Sequence, residues 1–181
     1  TLSTRTDDPH EWLSGVYLAK LTGTISGKQS YIIFVVREDD RGSDFLLQSS
    51  VTTFQAYNNW GGKSTYPSNS LNEQWARTVS FNRPYARSQH PRGGSGTGAG
   101  EFLTAMSIHH TRSLSTAGWE YNMVRRLERN GDDVTYSTDI DTHSRADFWK
   151  GHKAWLSVGH DEYWSQEMRH HVEEARDRGV G

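Results

Sequence analysis

Cysteine is the most informative absence from this chain of 181 residues. Without it the protein can form no disulfide bond, no zinc–thiolate site and no cysteine nucleophile. Long apolar runs are also missing, because no stretch approaches the roughly 18 residues that a membrane-spanning helix requires. The formal net charge is only −2, and acidic and basic residues are interspersed without a block of either sign. The sequence therefore offers no reason to expect nucleic acid or a membrane as a partner.

Hydrophobic residues are scarce, whereas aromatic residues are not. Only 33% of the chain is hydrophobic and the mean hydropathy is −0.82, yet seven Trp, eight Tyr and six Phe are present. Disordered chains are poor in aromatic residues, so this composition indicates a globular protein whose core depends on rings. The absence of cysteine and of a charged-then-apolar leader favours a cytoplasmic location. Because the first residue is Thr rather than Met, we expect the chain to be a fragment of a longer protein.

The length suits one domain with a real core, and we interpret residues 1–181 as a single α/β domain with a polar lead-in at 1–14. Runs of apolar and β-branched residues predict the strands. These are Val16–Leu21, Tyr31–Val36, one or two strands within Asp44–Phe54, Val134–Ser137 and Ala154–Val158. In this interpretation Val51–Phe54 is the end of a strand.

Two helices are predicted in the second half of the chain. Apolar residues at helical spacing cover Trp119–Arg129, and Gly131 marks the stop. Ser165 is a typical N-cap for a helix that continues to about Arg178. Strands that alternate with helices predict an open, mostly parallel sheet with flanking helices. Another strand would follow the last helix, so we expect a fold that is truncated at Gly181.

A long aromatic and glycine-rich segment, residues 56–101, interrupts this pattern, with Arg77–Phe81 as its one short strand candidate. Segments of this length are usually functional or mobile, and a plain surface loop is the alternative. The run GGSGTGAG at 93–100 suggests a phosphate-binding loop, but no clear strand precedes it and no Gly-Lys-Ser/Thr ending follows. We predict a flexible loop or lid there instead.

Gly159–Trp164 follows a buried strand at the position where open α/β sheets bind ligands. It brings His160, Asp161 and Glu162 to the edge of the sheet, just before the helix that Ser165 caps. Charged side chains at a strand end need partners, which a metal ion or acid–base chemistry would supply. A structural interpretation is the alternative. In it, His160 and Asp161 satisfy backbone groups while Glu162 starts the helix.

Two segments that carry tyrosine are further candidates. Ala56–Tyr66 follows the strand predicted up to Phe54, so it should reach the same edge of the sheet, and its paired glycines allow close backbone approach. Phe81–Tyr85 presents Tyr85 on a loop that proline stiffens. Packing as an amphipathic ring is the ordinary role of tyrosine, and it is the alternative for each of these side chains.

Four motifs occur along the chain in the order AYNNWGGKSTY at 56–66, FNRPY at 81–85, WEYNMVR at 119–125 and VGHDEYWS at 158–165. As a set they resemble the carboxyl-terminal region of the N,N-dimethylformamidase large (beta) subunit family, and the resemblance runs from about residue 14 to the last residue. It implies a hydrolase that splits a small amide, such as a dialkylformamide, into an amine and a carboxylate. The resemblance implies a Rossmann-like sheet of the class I amidotransferase kind.

The resemblance also implies a mononuclear ferric iron held by two tyrosine phenolates and one glutamate. Glu162 corresponds to the glutamate, which would serve both as ligand and in catalysis. Tyr57 and Tyr85 correspond to the tyrosines, and Tyr66 is the reserve candidate. Hard oxygen donors suit ferric iron, which has to displace the phenol protons in order to bind. His160 is implied as a neighbouring acid–base or substrate-orienting group, and a small subunit or a second copy as partner.

Other features carry weaker predictions. Adjacent histidines face different ways, so His109–His110 and His170–His171 are predicted to be surface residues rather than metal ligands. Asp139, Asp141 and His143 alternate after a strand and are predicted to lie in a polar loop. No Gly-x-Ser-x-Gly elbow occurs, which argues against a serine hydrolase.

Two alternatives to an active amidohydrolase stay open. The first is a non-catalytic ligand- or carbohydrate-binding module, whose rings would be Trp60, Trp75, Tyr66 and Tyr85. The second is an inactive fragment of a larger amidohydrolase, because a family residue expected on the next strand would lie beyond Gly181.

Overall fold

The computed structural model describes residues 12–87, 98–103 and 118–181. The strands are β1 (Gly15–Thr22), β2 (Gln29–Val36), β3 (Phe45–Ser49), β4 (Val134–Thr138) and β5 (Ala154–Ser157). The α-helices are α1 (Val51–Tyr57), α2 (Trp119–Asn130), α3 (Asp139–Ser144) and α4 (Gln166–Asp177). Short 3-10 turns occur at Trp60–Gly62, Pro67–Asn69 and Leu71–Glu73. Most of the predicted lead-in, residues 1–11, lies outside the described residues.

The strands form two sheets. β1 and β2 pair as an antiparallel hairpin, in register from Gly15 opposite Val36 to Thr22 opposite Gln29. β4, β3 and β5 form a parallel sheet in that order, with β3 in the centre. A parallel central strand is covered on both faces, and β3 accordingly consists almost entirely of buried residues. The prediction of a mixed α/β protein with a parallel sheet is confirmed at this level.

Alternation along β3 divides the core in two. Leu47 packs with Leu127 of α2 and Tyr136 of β4, and residues of the hairpin cover this cluster. Leu46 faces the other way and packs with Phe148 and with Ala175 of α4. Neighbouring strand residues point to opposite faces, so one strand anchors a helix on each side. Burying each leucine contributes about 2 kcal/mol to stability.

Helices α2 and α4 have the local signals predicted for them. Gly131 ends α2 in the left-handed conformation with φ +72°, and its N–H donates to the carbonyl of Glu128. Ser165 caps α4 by accepting the N–H of Met168 at 3.1 Å. The predictions for both helices and for their end signals are confirmed. Within the described residues, no helix combines the length and the apolar character needed to cross a membrane.

The strand predicted at Val51–Phe54 is wrong, because these residues form most of α1. β-branched residues favour strands, but the backbone here obtains its hydrogen bonds from distant side chains. The N–H of Ser50 donates to Glu120 at 2.8 Å, and the N–H of Thr52 donates to Asp139 at 2.9 Å. Carboxylates at a helix start satisfy its unpaired N–H groups, and no local pattern reveals them.

Two other local predictions are also wrong. Arg77–Phe81 forms no strand in the described chain, and the adjacent Ala76 N–H donates to the loop carbonyl of Ser64 at 2.7 Å. Asp139–Ser144, predicted as a polar loop, is helix α3. Thr138 caps it, because its hydroxyl accepts the N–H of Asp141, whose carboxylate in turn accepts the Thr138 N–H at 2.9 Å.

Candidate functional site

The candidate site lies at the carboxyl ends of β3 and β5, which are neighbours in the sheet. The chain leaves β3 toward β4 on one side of the sheet and later returns to β5 on the other side. Ligands in parallel α/β sheets bind outside the strand ends at the point where the order of strands reverses. The segments after β3 and β5 meet at this point.

Glu162 is brought to the site by a loop that glycine allows. Gly159 has φ +77°, and a Cβ atom added to it would lie 2.5 Å from the Cβ of Trp119. A side chain at this position would therefore be strained and would clash. The loop is then fixed to α1, because the N–H groups of Glu162 and Tyr163 donate to the hydroxyl of Thr53 at 3.0 and 3.3 Å.

Tyr57 and Tyr66 come from the end of α1 and from the loop that folds back onto it. Tyr57 is the last residue of the helix, and the carbonyl of the preceding residue, Ala56, accepts the N–H of Thr65 at 3.0 Å. The amide of Asn69 donates to the Tyr57 carbonyl at 2.5 Å. These bonds stack the rings of Tyr57 and Tyr66 with centroids 4.4 Å apart.

The side chains of these segments converge on one carboxylate. The hydroxyl of Tyr57 donates to Glu162 Oε2 at 2.5 Å, and that of Tyr66 donates to Oε1 at 2.9 Å. The Nε2 atom of His160 lies 2.7 Å from Glu162 Oε2. The hydroxyl of Tyr163 donates to that of Tyr66 at 2.7 Å. We call Tyr57, Tyr66, His160 and Glu162 the phenol–carboxylate cluster.

The electrostatics of the phenol–carboxylate cluster favour a charged glutamate. Partial burial opposes this charge, but hydrogen bonds from Tyr57, His160 and Tyr66 outweigh it and hold the pKa of Glu162 below its ordinary value. Burial raises the pKa of Tyr57 and of Tyr66, so both phenols keep their protons and act as donors. A hydrogen bond with the carboxylate of Glu101 is the main cause that raises the pKa of His160.

Tyr85 lies apart from the phenol–carboxylate cluster. Its ring packs edge-on against Phe54 at 6.3 Å, and its hydroxyl is hydrogen-bonded to Gln55. No hydrogen bond or ring contact joins it to Glu162 in the described part of the chain. The structure thus brings together three predicted residues, Tyr57, His160 and Glu162, with the reserve candidate Tyr66 rather than with Tyr85.

Asp161 and the other polar candidates have structural partners. Asp161 accepts hydrogen bonds from Gln48 at 2.9 Å and from Ser157 at 2.5 Å. His171 contacts the carbonyl of Thr142 at 2.7 Å, whereas His170 is exposed. His109–His110 and most of the glycine run, residues 93–97, lie outside the described residues.

Glu101 is a site residue that the sequence interpretation missed. Its carboxylate is buried and lies 2.8 Å from Nδ1 of His160, on the side of the ring opposite to Glu162. Burial is the main cause that raises its pKa. The available signal is its place directly after the glycine run, whose composition predicts a flexible loop or lid.

The oxygen donors of this site are unusual for a metal centre. Among the described residues, no three side chains of His, Cys, Asp or Glu are grouped so that they could hold a metal ion. An ion at the phenol–carboxylate cluster would therefore need tyrosine ligands. Tyr57 and Tyr66 reach the two oxygens of Glu162 from separate segments, which is a donor set of two phenols and one carboxylate.

A family model described as "N,N-dimethylformamidase beta subunit-like, C-terminal" matches residues 1–181, the whole chain. The chain belongs to this family. The resemblance drawn from the four motifs is thereby confirmed. A comparison with curated proteins gave no match. The family description refers to the C-terminal part of a subunit.

Proposed function

We propose that the phenol–carboxylate cluster is the catalytic centre of a metal-dependent amidohydrolase. The reaction is hydrolysis of the C–N bond of a small non-peptide amide, such as a dialkylformamide, to an amine and a carboxylate. The observation that carries the proposal is the convergence of two tyrosine hydroxyls on the two oxygens of Glu162, in a chain of a dimethylformamidase-related family.

The cofactor of the proposal is one ferric ion, held by Tyr57, Tyr66 and Glu162. Hard oxygen donors prefer hard cations, and three such donors converge here, from the end of α1, from the loop after it and from the loop after β5. Both phenols are protonated in the metal-free chain, so the ion would have to displace their protons, as metal binding to acidic ligands generally does. The contacts favour Tyr66 over Tyr85 as the second phenolate.

In the proposed reaction, the ion and His160 have different roles. When bound, the ion supplies Lewis acidity, which polarises the amide carbonyl and activates water. His160 presents Nε2 beside Glu162. In the neutral ring with its proton on Nδ1, Nε2 can accept a proton from the attacking water and donate it to the nitrogen of the departing amine. The water oxygen forms the new bond to the carbonyl carbon, the C–N bond breaks, and the leaving nitrogen takes the proton.

The proposal extends to fold and assembly. The order β4, β3, β5 with parallel strands supports a Rossmann-like sheet of the class I amidotransferase kind, because one of the two common strand orders of doubly wound sheets places the first strand between the second and the third. The words "beta subunit-like" support a multi-subunit enzyme, with a small subunit or a second copy as partner. The proposed location of the assembly is the cytoplasm.

The test is an iron-loaded preparation of the chain, assayed for dimethylamine released from N,N-dimethylformamide. Tyrosine phenolates bound to ferric iron absorb visible light, so the sample should be coloured. Glu162→Ala should lose both the colour and the release of amine. A folded, iron-saturated wild-type protein without a visible band would refute the proposed ligand set.

The binding-module alternative has partial support. Trp60 is 50% exposed and Trp75 is 49% exposed, as a ring platform for a sugar would require. The other two rings do not join them, because Tyr66 stacks on Tyr57 within the phenol–carboxylate cluster and Tyr85 packs against Phe54. Two exposed tryptophans are weaker support for a binding module than the convergence of Tyr57 and Tyr66 on Glu162 is for an amidohydrolase. Glycan-array binding by the metal-free chain, lost in Trp60→Ala, would reverse this preference.

A further inference from the structure

The glycine-rich segment of the chain carries a carboxylate into the candidate site. Residues 98–103 are buried at Ala99, Glu101 and Phe102. A Cβ atom added to Gly98 would lie 2.2 Å from the hydroxyl oxygen of Ser30, and one added to Gly100 would lie 3.0 Å from the ring of Phe54. The segment is therefore pressed between β2 and α1, where larger residues would not fit, and it does not behave as a linker at these positions.

The residue before α2, Gly118, packs against the backbone of Glu101 and Phe102. A Cβ atom on Gly118 would lie 2.3 Å from the carbonyl oxygen of Glu101 and 2.1 Å from that of Phe102. Backbone oxygens cannot move away as a flexible side chain can, so glycine is required there. Glu101 is thus held by glycines before and after it, and its side chain has a defined position.

The imidazole of His160 is held on both of its nitrogens. Nδ1 lies 2.8 Å from Glu101 Oε2, and Nε2 lies 2.7 Å from Glu162 Oε2. The ring also packs against Tyr57 at 4.9 Å and against Trp119 at 6.5 Å. Nitrogen positions and ring plane are therefore both determined by neighbours. Of the two carboxylates, that of Glu101 is the more buried, with 3% of its side chain exposed against 44% for Glu162.

We propose that Glu101 is a positioning residue, which accepts the Nδ1–H of His160 and so keeps Nε2 directed at Glu162. Both ring nitrogens face a carboxylate, so each has an acceptor for a proton, and removal of Glu101 would leave an acceptor at Nε2 alone. Partners of this kind orient the group that performs the chemistry. A buried carboxylate without a donor is unfavourable, so Glu101 and His160 hold each other in place. The catalytic part of this inference rests on the proposed amide hydrolysis, whereas the proton position does not.

The proton position can be measured in the metal-free chain. Nitrogen-15 chemical shifts of a labelled imidazole distinguish a protonated Nδ1 from an unprotonated one. At about pH 8, where an ordinary histidine is neutral, we expect Nδ1 of His160 to be protonated in the wild type. Glu101→Ala and Glu101→Leu both lack an acceptor and should lose this signal, whereas Glu101→Gln should retain it through its amide oxygen. The leucine variant fills the space if the alanine variant does not fold.

Glu120→Gln is the matched control, because Glu120 is a buried glutamate that accepts hydrogen bonds from Ser49 and Ser50. It should leave the His160 signals unchanged. In the iron-loaded chain, Glu101→Leu should lower kcat by about 10- to 100-fold with little change in KM, and Glu101→Gln should recover most of the loss.

The two proposals fail in different ways. An unchanged Nδ1 proton in a folded Glu101→Leu variant would overturn the positioning role, whatever the activity. The expected loss of that proton, in a protein without amide hydrolysis, would support the positioning role and contradict the proposed function. Equal loss of kcat in Glu101→Gln and Glu101→Leu would also count against a role through the hydrogen bond.

Discussion

Carboxylates at the edge of one sheet experience two different environments in this protein. Glu162 in the phenol–carboxylate cluster accepts three hydrogen bonds from phenols and an imidazole, and its pKa is lowered. Glu120 and Asp139, which we call the buried acid pair, accept hydrogen bonds from serine, threonine and backbone N–H groups. Burial raises the pKa of each to about 7. The same functional group is kept charged in one place and driven toward neutrality in the other.

This difference distinguishes a carboxylate suited to bind a ligand, Glu162, from carboxylates that support the fold, the buried acid pair. The buried acid pair supports the start of α1, and a neutral amide could replace much of what its members do. Glu162 accepts hydrogen bonds from ionisable side chains, the two phenols and the imidazole. Its side chain is 44% exposed, so a ligand could reach it. A negative charge that is stabilised and accessible is suited to binding a cation, whereas a buried acid near neutrality is suited to holding backbone.

Replacing the charge should matter most at Glu162. In the iron-loaded chain, Glu162→Gln removes the charge of the proposed ligand but keeps its shape, and we expect amide hydrolysis to fall by about 10³-fold, equivalent to about 4 kcal/mol. Glu120→Gln makes the same change in the buried acid pair and should retain activity within about threefold, because it changes no proposed ligand. Initial rates of amide hydrolysis measure the effect of both variants. Similar losses of activity in Glu162→Gln and Glu120→Gln would contradict the different roles assigned to the two regions.

The buried acid pair should make stability fall as pH rises. Glu120 has a pKa of about 7 in the folded chain against 4.5 for the free group. Between these values the unfolded chain releases a proton that the folded chain keeps, so the free energy of unfolding decreases with rising pH. The decrease is about 1.4 kcal/mol per pH unit, or about 3 kcal/mol over the whole interval. Urea unfolding of the metal-free chain at pH 5 and pH 7.5 would measure it.

The control for this pH dependence is Glu120→Gln, which cannot titrate and should flatten the curve by the same amount. Asp139 and His160 also have raised pKa values and act in the same sense. Glu162 acts in the opposite sense, because its lowered pKa removes stability only as pH falls. If the free energy of unfolding depended on pH equally in the wild type and in Glu120→Gln, the titration of Glu120 would not contribute to the pH dependence of stability.

Removing a member of the buried acid pair altogether should destabilise the helix start. Asp139 accepts both the N–H and the hydroxyl of Thr52. Asp139→Ala leaves the Thr52 N–H without its acceptor, although the Thr52 hydroxyl keeps the carbonyl of Tyr163 at 2.9 Å, and should lower the free energy of unfolding by about 1–3 kcal/mol. Asp139→Asn keeps an acceptor oxygen and should lower it by no more than about 1 kcal/mol at pH 7. Chemical denaturation of both variants tests this, and a larger loss for asparagine than for alanine would contradict it.

The smallest effect is expected at the outer edge of the phenol–carboxylate cluster. Tyr163 donates to the hydroxyl of Tyr66 at 2.7 Å, and its ring packs edge-on against that of Tyr66. Tyr163→Phe keeps the ring and loses the hydrogen bond to Tyr66, together with a longer one to Thr65 at 3.4 Å. Iron affinity should fall by about fivefold, equivalent to about 1 kcal/mol. Competition with a chelator measures this affinity. A loss as large as that of Glu162→Gln would make Tyr163 a ligand instead.

Much of the scaffold was predictable because its signals are local. Gly131 and Ser165 mark helix ends by their own chemistry, and Tyr31–Val36 is apolar enough to predict β2. The end of the predicted strand before Gly159 likewise predicts a site at Glu162. Each of these inferences needs only neighbours in the chain, which is the information that a single sequence contains.

The errors occurred where partners are far apart in the sequence. α1 begins on carboxylates from Glu120 and Asp139, about 70 and 87 positions away, so its β-branched start was interpreted as a strand. The choice between Tyr66 and Tyr85 depends on how the loop after α1 folds back, which spacing does not specify. Glu101 was missed because a glycine run suggests freedom, whereas here it permits close packing.

The central claim is that Tyr57, Tyr66 and Glu162 bind one ferric ion, and matched tyrosine variants test it most directly. The measurement is the visible absorption and the iron content of the reconstituted chain carrying Tyr66→Phe or Tyr85→Phe. We predict that Tyr66→Phe shifts or weakens the band and loses iron, while Tyr85→Phe keeps both at wild-type values. A band that survives Tyr66→Phe and disappears in Tyr85→Phe would contradict the account.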